Sequence, residues 1–458
     1  MKLSRRQVAR KAVALPILKF EDQQLTSFGG LVVFQELFSS LRLREQLRVC
    51  FKGVKRSGAY GLATVVLQLV VHFLLGYRML RDSQYYRDDP MVKRLLGLKR
   101  LPDVSTVSRM LAGASTAAVE NLRELLQRWV LDRVAVLGLA RITLDIDGSV
   151  QSTGRFAEGT AVGYNKKKRG QRSYWPLFCT IAQLGQVFDV LHRPGNVHDS
   201  HGAKDFILAC VRKIRQRCPW AVIEVRMDGA FFDEKIIEAL AAEGVEFTVS
   251  VPFRRLAELK QMVEERRSWR RCGRGVAYFE KRWKPQRWSR RFRFVFVRTR
   301  VKIRQKGPVQ LDLFVPYEDG YEFKVIVTNK RTSARHLLAF HNGRGSQEAI
   351  FADLKNDAGM NYVPTRTLIG NQLYLLAGLL AHNLVRELQM RSHSAARNTT
   401  YKRSPLWSFE SVSTLCRTVV QRAGRLTRPG GRLTLTMNAN PAVKTKLLYY
   451  LEALKQAA

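Results

Sequence analysis

The sequence predicts an α/β protein in which a mixed sheet is interrupted by a β-rich insertion and preceded by a helical N-terminal region. Apolar residues recur at helical spacing up to about residue 135, and from Arg141 the pattern changes to alternating strands and helices. A strongly basic stretch, 253–310, divides that pattern in two. The 458 residues are 46% hydrophobic, which is enough for a large core shared by two or three domains.

The N-terminal region carries three long segments of helical period and one short helix. The short helix is expected to begin near Ser105, after Pro102 and a polar capping region. The long segments span 31–41, 59–80 and 117–134.

One stretch of this region, 57–77, has 21 residues without a formal charge and is long enough to cross a bilayer. It contains Thr64, Gln68 and His72 and is flanked by basic residues. We therefore expect a buried core helix, with Ser57 as its N-cap, and no membrane association.

The central part of the chain alternates between strand and helix patterns. Residues 142–147 alternate like a strand, and a hairpin with its turn at Gly185 is expected next. The remaining segments point to a mixed sheet. They are the hairpin strands 174–182 and 187–192, a helix 199–217, a strand 222–227, a helix 233–243, a strand 246–251, a strand 323–328, a helix reaching Lys355 and an apolar helix 373–390.

Charge indicates the partner. The chain has 78 Lys and Arg against 38 Asp and Glu, a formal net charge of +40, which indicates a polyanion such as nucleic acid. Residues 253–310 hold 20 Lys or Arg and 4 Glu, and residues 391–435 hold nine Lys or Arg and one Glu. We expect the first stretch to be a basic β-rich insertion, with Phe292, Phe294 and Phe296 on one strand face, and the second to be a mobile tail.

These patterns divide the chain into five parts. Residues 1–135 would form a helical domain, either a DNA-binding unit or a plain bundle, and 136–252 the first part of an α/β core. Residues 253–320 would be the insertion, 321–390 the second part of the core, and 391–458 a basic C-terminal region. The six cysteines are scattered without a CxxC pair, so neither a zinc site nor a disulfide framework is expected, in keeping with a reducing cytoplasm.

Four acidic residues at three places in the sequence stand out. Asp145 and Asp147 lie two residues apart on one strand, so their side chains share a face, and Asp228 ends the apolar strand 222–227 at the sheet edge where ligands collect. Glu348 lies on a helix with Arg344 four residues before it and Lys355 two turns after it. Taken singly, these are also the patterns of an exposed strand end, an Asp-Gly turn and a solvated helix face.

The acidic residues lie within or near five segments over about 141–390, which are LDIDGSV, VGYNKKKRGQRSYWPL, RPGNVHD, VRMDGAFFD and GRGSQEAIFADLK. Together these segments resemble bacterial insertion-sequence transposases of the DDE type. The resemblance extends to a Tyr-x2-Arg-x3-Glu-x6-Lys signature, matched here at Arg344, Glu348 and Lys355, whereas His341 stands in place of the Tyr. The resemblance implies an RNase H-like catalytic fold with a β-rich insertion before the final Glu.

The resemblance also implies a chemistry. Asp147 would bridge two Mg²⁺ ions, with Mn²⁺ as a substitute, and Asp228 and Glu348 would complete one side each. Asp145 is the alternative to Asp147. Water would cut at the transposon end, and the 3′-OH released would then attack target DNA. Double-stranded DNA with terminal inverted repeats, a homodimer in a synaptic complex, and a bacterial, nucleoid-associated location follow from the same resemblance.

Several side chains are expected to touch DNA. Arg344, Lys355 and His341 would hold phosphates beside the cut, and Trp283 and Trp288 would either stack on an extruded base or pack the insertion. His198 and Asp199 could approach the metal site, but structural roles are expected for them. A backbone-gripping loop, or otherwise a solvated turn, is expected of Lys166, Lys167, Lys168, Arg169 and Arg172.

Two rival functions remain open at this stage. An RNase H-like, structure-specific DNA nuclease would use the same three carboxylates without joining strands. A DNA-binding protein without activity would account for the charge but not for Asp147, Asp228 and Glu348.

Overall fold

The N-terminal region is helical, as predicted. The computed structural model describes residues 12–21, 23–54, 59–163, 165, 168–300, 320–397 and 400–456. The N-terminal helices are α1 (Leu31–Ser40), α2 (Leu43–Cys50), α3 (Leu62–Leu74), α4 (Pro90–Leu96), α5 (Val104–Ala112) and α6 (Thr116–Leu137). Ser57, the expected N-cap of the apolar helix, lies outside the described residues.

Side-chain caps fix where several of these helices begin. Asp103 accepts a hydrogen bond from the backbone N–H of Thr106 at the start of α5, at 2.7 Å. Ser115 accepts one from Ala118 at the start of α6. Each cap satisfies a backbone donor that the first helical turn leaves without an internal partner.

The part of the chain from Arg141 onward supplies most of the described strands. In chain order the described strands are β1 (Leu25–Thr26), β2 (Arg141–Gly148), β3 (Gln151–Thr153), β4 (Ala161–Val162), β5 (Arg172–Tyr174), β6 (Leu177–Ile181), β7 (Gln186–Leu191), β8 (Val222–Met227), β9 (Glu246–Ser250), β10 (Arg270–Gly273), β11 (Val276–Trp283), β12 (Phe292–Arg300), β13 (Tyr321–Thr328), β14 (Gly424–Thr427) and β15 (Thr434–Met437). The later helices are α7 (Ala203–Arg217), α8 (Glu234–Ala242), α9 (Ala257–Glu264), α10 (Ala334–Asn342), α11 (Ser346–Asn356), α12 (Leu368–Ser392), α13 (Val412–Leu415) and α14 (Pro441–Gln456).

Nine of the described strands form one mixed sheet in the order β10-β11-β12-β13-β9-β8-β2-β6-β7. β2, β8 and β9 run parallel to one another, whereas β6 and β7 continue from β2 as an antiparallel hairpin. The five strands β7-β6-β2-β8-β9 thus have the order 3-2-1-4-5 of an RNase H-like sheet, which confirms the predicted fold class.

The insertion extends this sheet rather than standing apart from it. β13 pairs with β9, and β12, β11 and β10 follow outward as antiparallel strands. Phe292, Phe294 and Phe296 are all buried in the core beneath the sheet, so the predicted apolar face is confirmed. The helix α9, which precedes these strands, was not predicted.

The prediction of a mobile tail is wrong for the described residues after Met390. Leu406 and Trp407 are buried in the sheet core, and α14 packs through Leu447 and Tyr450 into the core formed with the N-terminal helices. β14 also pairs with β1, which joins the two ends of the chain. A few well-placed apolar residues therefore order a segment whose composition is basic and polar.

Helix α12 is the one described helix that is long and apolar enough to cross a membrane, and 83% of its most apolar window is buried inside the protein. Its neighbours include α3, α5 and α6, so it forms the centre of the helical core. The uncharged stretch predicted to be a core helix corresponds to α3, which is buried along most of its length.

Candidate active site

Asp147 and Asp228 lie on neighbouring parallel strands at the same edge of the sheet. Asp145 on β2 stands opposite Arg226 on β8 in the strand register. Asp147 and Asp228 each follow two residues later, so both carboxylates emerge at the carboxyl edge. This adjacency is what the sequence predicted for the two positions.

The two carboxylates are in a partly desolvated, acidic environment. Burial raises the pKa of Asp147 to about 7, the Arg344 guanidinium opposes the rise, and the carboxylates of Asp228 and Asp199 add to it. Burial also raises the pKa of Asp228, whose Oδ1 accepts a hydrogen bond from the backbone N–H of Ala230 at 2.9 Å. Carboxylates that resist ionisation in this way create a site that favours a cation.

Arg344 supplies a positive charge at this site. It lies in the 3₁₀ turn Gly343–Gly345 between α10 and α11, and its Nη1 donates to Asp147 Oδ2 at 2.9 Å. About a quarter of each of the two side chains is exposed, so solvent and ligands can reach the pair. The 3₁₀ turn also alters the helical phase between Arg344 and Glu348, which the sequence spacing treated as one continuous helix.

Glu348 is placed on the first turn of α11 with its side chain exposed. The preceding residue, Gln347, is buried and donates from Nε2 to the carbonyl oxygen of Asp145 at 3.0 Å. α11 is thus anchored to the strand that carries Asp147. Across the described residues, however, no three His, Cys, Asp or Glu side chains are grouped to hold a metal ion.

Asp145 is buried and fully engaged. Its two carboxylate oxygens accept hydrogen bonds from Nε and Nη2 of Arg226, at 2.5 and 2.7 Å. Asp145 is 1% exposed and Arg226 is not exposed at all. Asp145 was the alternative to Asp147 as a metal ligand. In the structure it already forms an ion pair inside the sheet.

Asp199 is a fourth carboxylate beside the strand end. Its Oδ1 accepts hydrogen bonds from Trp175 Nε1 at 2.6 Å and from Arg193 Nη2 at 3.3 Å. A Cβ on Gly148 would lie 2.2 Å from that same oxygen, so the Asp-Gly sequence leaves room for Asp199. The neighbouring His198 is exposed, with Nδ1 3.0 Å from the hydroxyl of Ser200.

His341 has a structural environment in place of the phosphate contact predicted for it. Its ring is 2% exposed, with Nδ1 3.0 Å from Thr248 Oγ1 and Nε2 2.8 Å from Ser250 Oγ. Both ring nitrogens are therefore occupied by hydroxyls of β9. Lys355, by contrast, is half-buried near the end of α11.

The basic loop after the first Asp is only partly described. Lys166 and Lys167 lie outside the described residues, and Lys168 and Arg169 are exposed. Arg172 is half-buried, donates from Nε to Thr160 Oγ1 at 2.9 Å, and lies 5.0 Å over the ring of Phe156.

The two tryptophans predicted either to stack on DNA or to pack the insertion both contact aromatic residues of the protein. Trp288 is 8% exposed, and its ring stacks on Phe232 with the centroids 4.8 Å apart. Trp283 is half-buried and meets Phe294 edge to face at 4.9 Å. In this structure both rings therefore pack within the protein.

Sequence reasoning missed Arg226, Trp175 and Arg193. A signal existed for Arg226, because a charged residue inside a mostly apolar strand needs a buried partner. Asp145 lies two residues before Asp147, just as Arg226 lies two residues before Asp228, so Asp145 was the candidate partner. Trp175 and Arg193 lie within two of the segments that carried the family resemblance, but their contacts with Asp199 depend on loop geometry.

A basic protein with acidic side chains at the carboxyl edge of an RNase H-like sheet has the form of an enzyme that acts on nucleic acid phosphates. The chain belongs to the family described as transposase DDE domain group 1, whose profile matches residues 7–458. It is therefore a DNA transposase, an enzyme that cuts DNA and transfers strands, and enzymes of this type use divalent metal ions. This membership favours a transposase over the two rival functions, a nuclease that does not join strands and a DNA-binding protein without activity.

Solved structures give more distant similarities. One is the piggyBac transposase synaptic complex with hairpin DNA, at 10% identity, covering 85% of this chain and 79% of that chain with a TM-score of 0.37. Another is the Mos1 transposase paired-end complex with its left transposon end, at 10% identity, covering 43% and 60% with a TM-score of 0.18. No curated protein sequence matches the chain.

Proposed function

We propose that this transposase cuts at the ends of its transposon with Asp147, Asp228 and Glu348 as the three catalytic carboxylates. The observation that carries the proposal is the side-by-side placement of Asp147 and Asp228 at one sheet edge, with the pKa of each raised. Glu348 enters on the signature spacing and on the anchoring of α11 to β2 through Gln347.

The donor set suits Mg²⁺. Asp147 and Asp228 offer hard oxygen ligands, and Mg²⁺ is commonly bound by one or two carboxylates together with water and substrate phosphates. Glu348 would complete the set from the first turn of α11 when DNA is bound. Two Mg²⁺ ions, with Mn²⁺ as a substitute, would supply Lewis acidity at the attacking and leaving oxygens.

The chain's own cations would bind the DNA around this chemistry. Arg344 donates a hydrogen bond to Asp147, and we propose that it turns to a phosphate beside the cut when a metal ion binds Asp147. Lys355 would hold a second phosphate from α11. A planar guanidinium suits this role because it can bind two phosphate oxygens at once.

The reaction consists of two displacements at phosphorus. In the first, water attacks the phosphodiester at the transposon end, the P–O3′ bond breaks, and the strand leaves with a free 3′-OH. In the second, that 3′-OH attacks a phosphodiester of target DNA, and the target's own 3′ oxygen leaves. Bonds broken and formed balance in each step, so no nucleotide cofactor is needed.

Double-stranded DNA would meet the protein at several basic surfaces. One is a cleft of about 600 Å³ between the insertion and the loop after β13, with Lys281, Arg282, Arg290, Arg291 and Arg331 along its lining. The exposed Lys168 and Arg169 offer a second, in the loop between β4 and β5. The helical region 1–135 would add a third, as a domain that reads the terminal inverted repeats.

The assembly and location are proposed on family grounds. Pairing of two ends would bring two copies of the chain together in a synaptic complex. The enzyme would work in the bacterial cytoplasm, at the nucleoid where its DNA substrate lies.

The test is metal-dependent cleavage and joining of DNA that carries the inverted repeats flanking this gene. Wild type should cut the end and join it to a target plasmid with Mg²⁺ or Mn²⁺. Asp147→Ala, Asp228→Ala and Glu348→Ala should each lose both activities while keeping fold and DNA affinity. Asp205→Ala, at an exposed position on α7, is the matched control and should behave like wild type. Near-normal cleavage by any one of the three would remove that residue from the catalytic set.

A further inference from the structure

The Arg226 side chain connects the chain segments that carry the proposed catalytic groups. It lies on β8, is fully buried, and makes four hydrogen bonds. Two reach the carboxylate of Asp145 on β2, at 2.5 and 2.7 Å. The other two run from Nη1 to backbone carbonyl oxygens, of Phe340 at 2.9 Å and Lys402 at 2.8 Å.

Each of these contacts is a short distance along the chain from a group of the site. Asp228 lies two residues after Arg226 on β8, and Asp147 lies two residues after Asp145 on β2. Phe340 lies in the last turn of α10, directly before the 3₁₀ turn that carries Arg344. A single guanidinium therefore fixes the spacing between the three segments that present Asp147, Asp228 and Arg344.

The surroundings leave little freedom for this arrangement. A Cβ on Gly343 would lie 2.1 Å from Arg226 Nη1 and 2.0 Å from the carbonyl oxygen of Lys402, so only glycine allows so close an approach. The face of the Arg226 guanidinium also lies 5.2 Å from the ring of Phe340. Planar geometry with five donors permits these simultaneous contacts, which an ammonium cannot make.

The segment around Lys402 is itself held firmly. Arg403 donates from Nε to the buried carboxylate of Glu224 at 3.0 Å, and the ring of Tyr401 stacks on His336 at 3.6 Å. The carbonyl of Lys402 is thus a fixed acceptor for Arg226. This segment follows α12 in the chain, so a part of the protein remote in sequence supplies one of the acceptors that hold Arg226.

We infer that Arg226 is a positioning residue, which sets the distance between Asp147 and Asp228 and the approach of Arg344 through its bonds to Asp145, Phe340 and Lys402. It does not touch substrate or reacting atoms. The inference rests on the proposed roles of Asp147 and Asp228. A simpler role, neutralising the buried Asp145, accounts for two of the four hydrogen bonds but not for those to the two carbonyls.

The test removes the charges without leaving one unpaired. Replacing both partners of a buried ion pair by apolar residues is often neutral for stability, so the double variant Arg226→Met/Asp145→Leu should fold. Its cleavage rate at saturating DNA should fall about 100-fold, the scale of a misplacement of about 1 Å in a catalytic site. The Mg²⁺ concentration for half-maximal cleavage should rise, and affinity for uncut DNA should stay unchanged.

The matched control is another two-bond arginine–aspartate pair. Arg123 on α6 binds Asp189 on β7 at 2.5 and 2.8 Å, and that aspartate is 2% exposed, as buried as Asp145. Arg123→Met/Asp189→Leu should keep the wild-type cleavage rate and Mg²⁺ requirement. Equal losses in both double variants would overturn the inference, because they would reflect general disturbance of the core.

A second variant keeps the test decisive if the first does not fold. Arg226→Lys retains a positive charge opposite Asp145 but cannot reach both carbonyls, so cleavage should still fall and the Mg²⁺ requirement should still rise. Wild-type cleavage by Arg226→Lys, or by a folded double variant, would overturn the positioning role while leaving the proposed function intact. A wild-type protein that cuts no transposon end would overturn the proposed function, and this inference with it.

Discussion

Arg344 donates a hydrogen bond to Asp147 across 2.9 Å, which joins a cation from the turn before α11 to a carboxylate at the end of β2. The contact stabilises the ionised form of Asp147 against the burial that raises its pKa. Under the proposed mechanism, binding of metal and DNA rearranges this pair.

Variants of Arg344 and Lys355 should separate catalysis from DNA affinity. Arg344→Ala and Lys355→Ala should each lower end cleavage and joining, by about 100-fold for Arg344, because charge stabilisation beside the reacting phosphate is lost. Arg344→Lys should recover little of this, since a point charge does not replace a planar fork. Overall DNA affinity should hardly change, because the net charge stays close to +40.

Gel-shift titration and end cleavage, measured in parallel, check this prediction. Arg335→Ala, an exposed arginine at the start of α10, is the control and should leave cleavage unchanged. If Arg344→Ala and Lys355→Ala both cut and join like wild type, the signature spacing in this chain has no role in binding the cut end.

Asp145 and Asp147 should give opposite phenotypes although they lie on one strand face. Asp145→Ala leaves Arg226 buried without its carboxylate, which should cost about 3–5 kcal/mol of the free energy of unfolding. Asp147→Ala should cost far less stability, because this side chain is 24% exposed, yet abolish cleavage. Urea unfolding and end cleavage measured on both variants decide the matter. A stable Asp145→Ala protein that cannot cut, together with an Asp147→Ala protein that still cuts, would move the metal ligand to Asp145.

Glu224 should make the protein sensitive to acid. Burial alone would raise the pKa of this carboxyl, but Lys330 and Arg403 hold it down to about 2. Because the folded pKa lies below the unfolded value of 4.5, the stabilisation is complete above pH 4.5 and is lost as the pH falls towards 2. Its full size is about 3 kcal/mol at most, at 1.36 kcal/mol for each pKa unit.

Thermal unfolding between pH 6 and pH 2.5 tests this link. In Glu224→Gln the stability should be lower at pH 6 and should fall less steeply as the pH is lowered. The control is Glu452→Gln, an exposed glutamate of α14, which should follow the wild-type curve. Identical pH profiles for Glu224→Gln and wild type would show that the Glu224 ion pairs contribute nothing to stability.

DNA binding should weaken steeply with salt, and the insertion cleft should account for part of the slope. Lys281, Arg282, Arg291 and Arg331 are exposed and, within the described residues, form no ion pair. Replacing Arg282, Arg290 and Arg291 by Gln should reduce the slope of log K against log salt by about 0.9 for each phosphate that the variant no longer neutralises.

The matched control replaces Arg212, Arg215 and Arg217 of α7 by Gln, which removes the same charge. Arg215 and Arg217 already pair with Glu243 and Asp132, so this triple variant should change the slope less. Equal slopes for wild type and the insertion variant would show that the cleft does not face DNA.

The sequence was sufficient to predict the central strands and the meeting of Asp147 with Asp228. Strand β8 has the predicted limits, Val222–Met227, because a short run of mostly apolar residues closed by Asp-Gly is typical of a strand. The pairing of insertion strands with β9 was not predictable, since edge-to-edge pairing depends on partners far apart in the chain. For the same reason Arg226 was missed: its bond to Asp145 depends on the register of strands 81 residues apart.

The segment from His341 to Glu348 shows a different kind of error in the sequence prediction. Spacing placed His341, Arg344 and Glu348 on one face of one helix, but the 3₁₀ turn Gly343–Gly345 breaks the phase between them. His341 consequently faces the hydroxyls of β9, and Glu348 faces solvent. The ordered segment after α12 was likewise hidden by its basic composition, since only a few residues such as Leu406 and Trp407 anchor it.

The bond from Arg226 to Lys402 has a consequence for how the protein is made. β2 and β8 leave the ribosome long before residue 402 has been synthesised. β1 pairs with β14, which is synthesised later still. The nascent chain therefore cannot form all four hydrogen bonds of Arg226 until most of its length has been translated. We expect a chain that stops before residue 400 to lose end cleavage, because the buried Arg226 and the helical core would lack the partners that Lys402, Leu447 and Tyr450 supply.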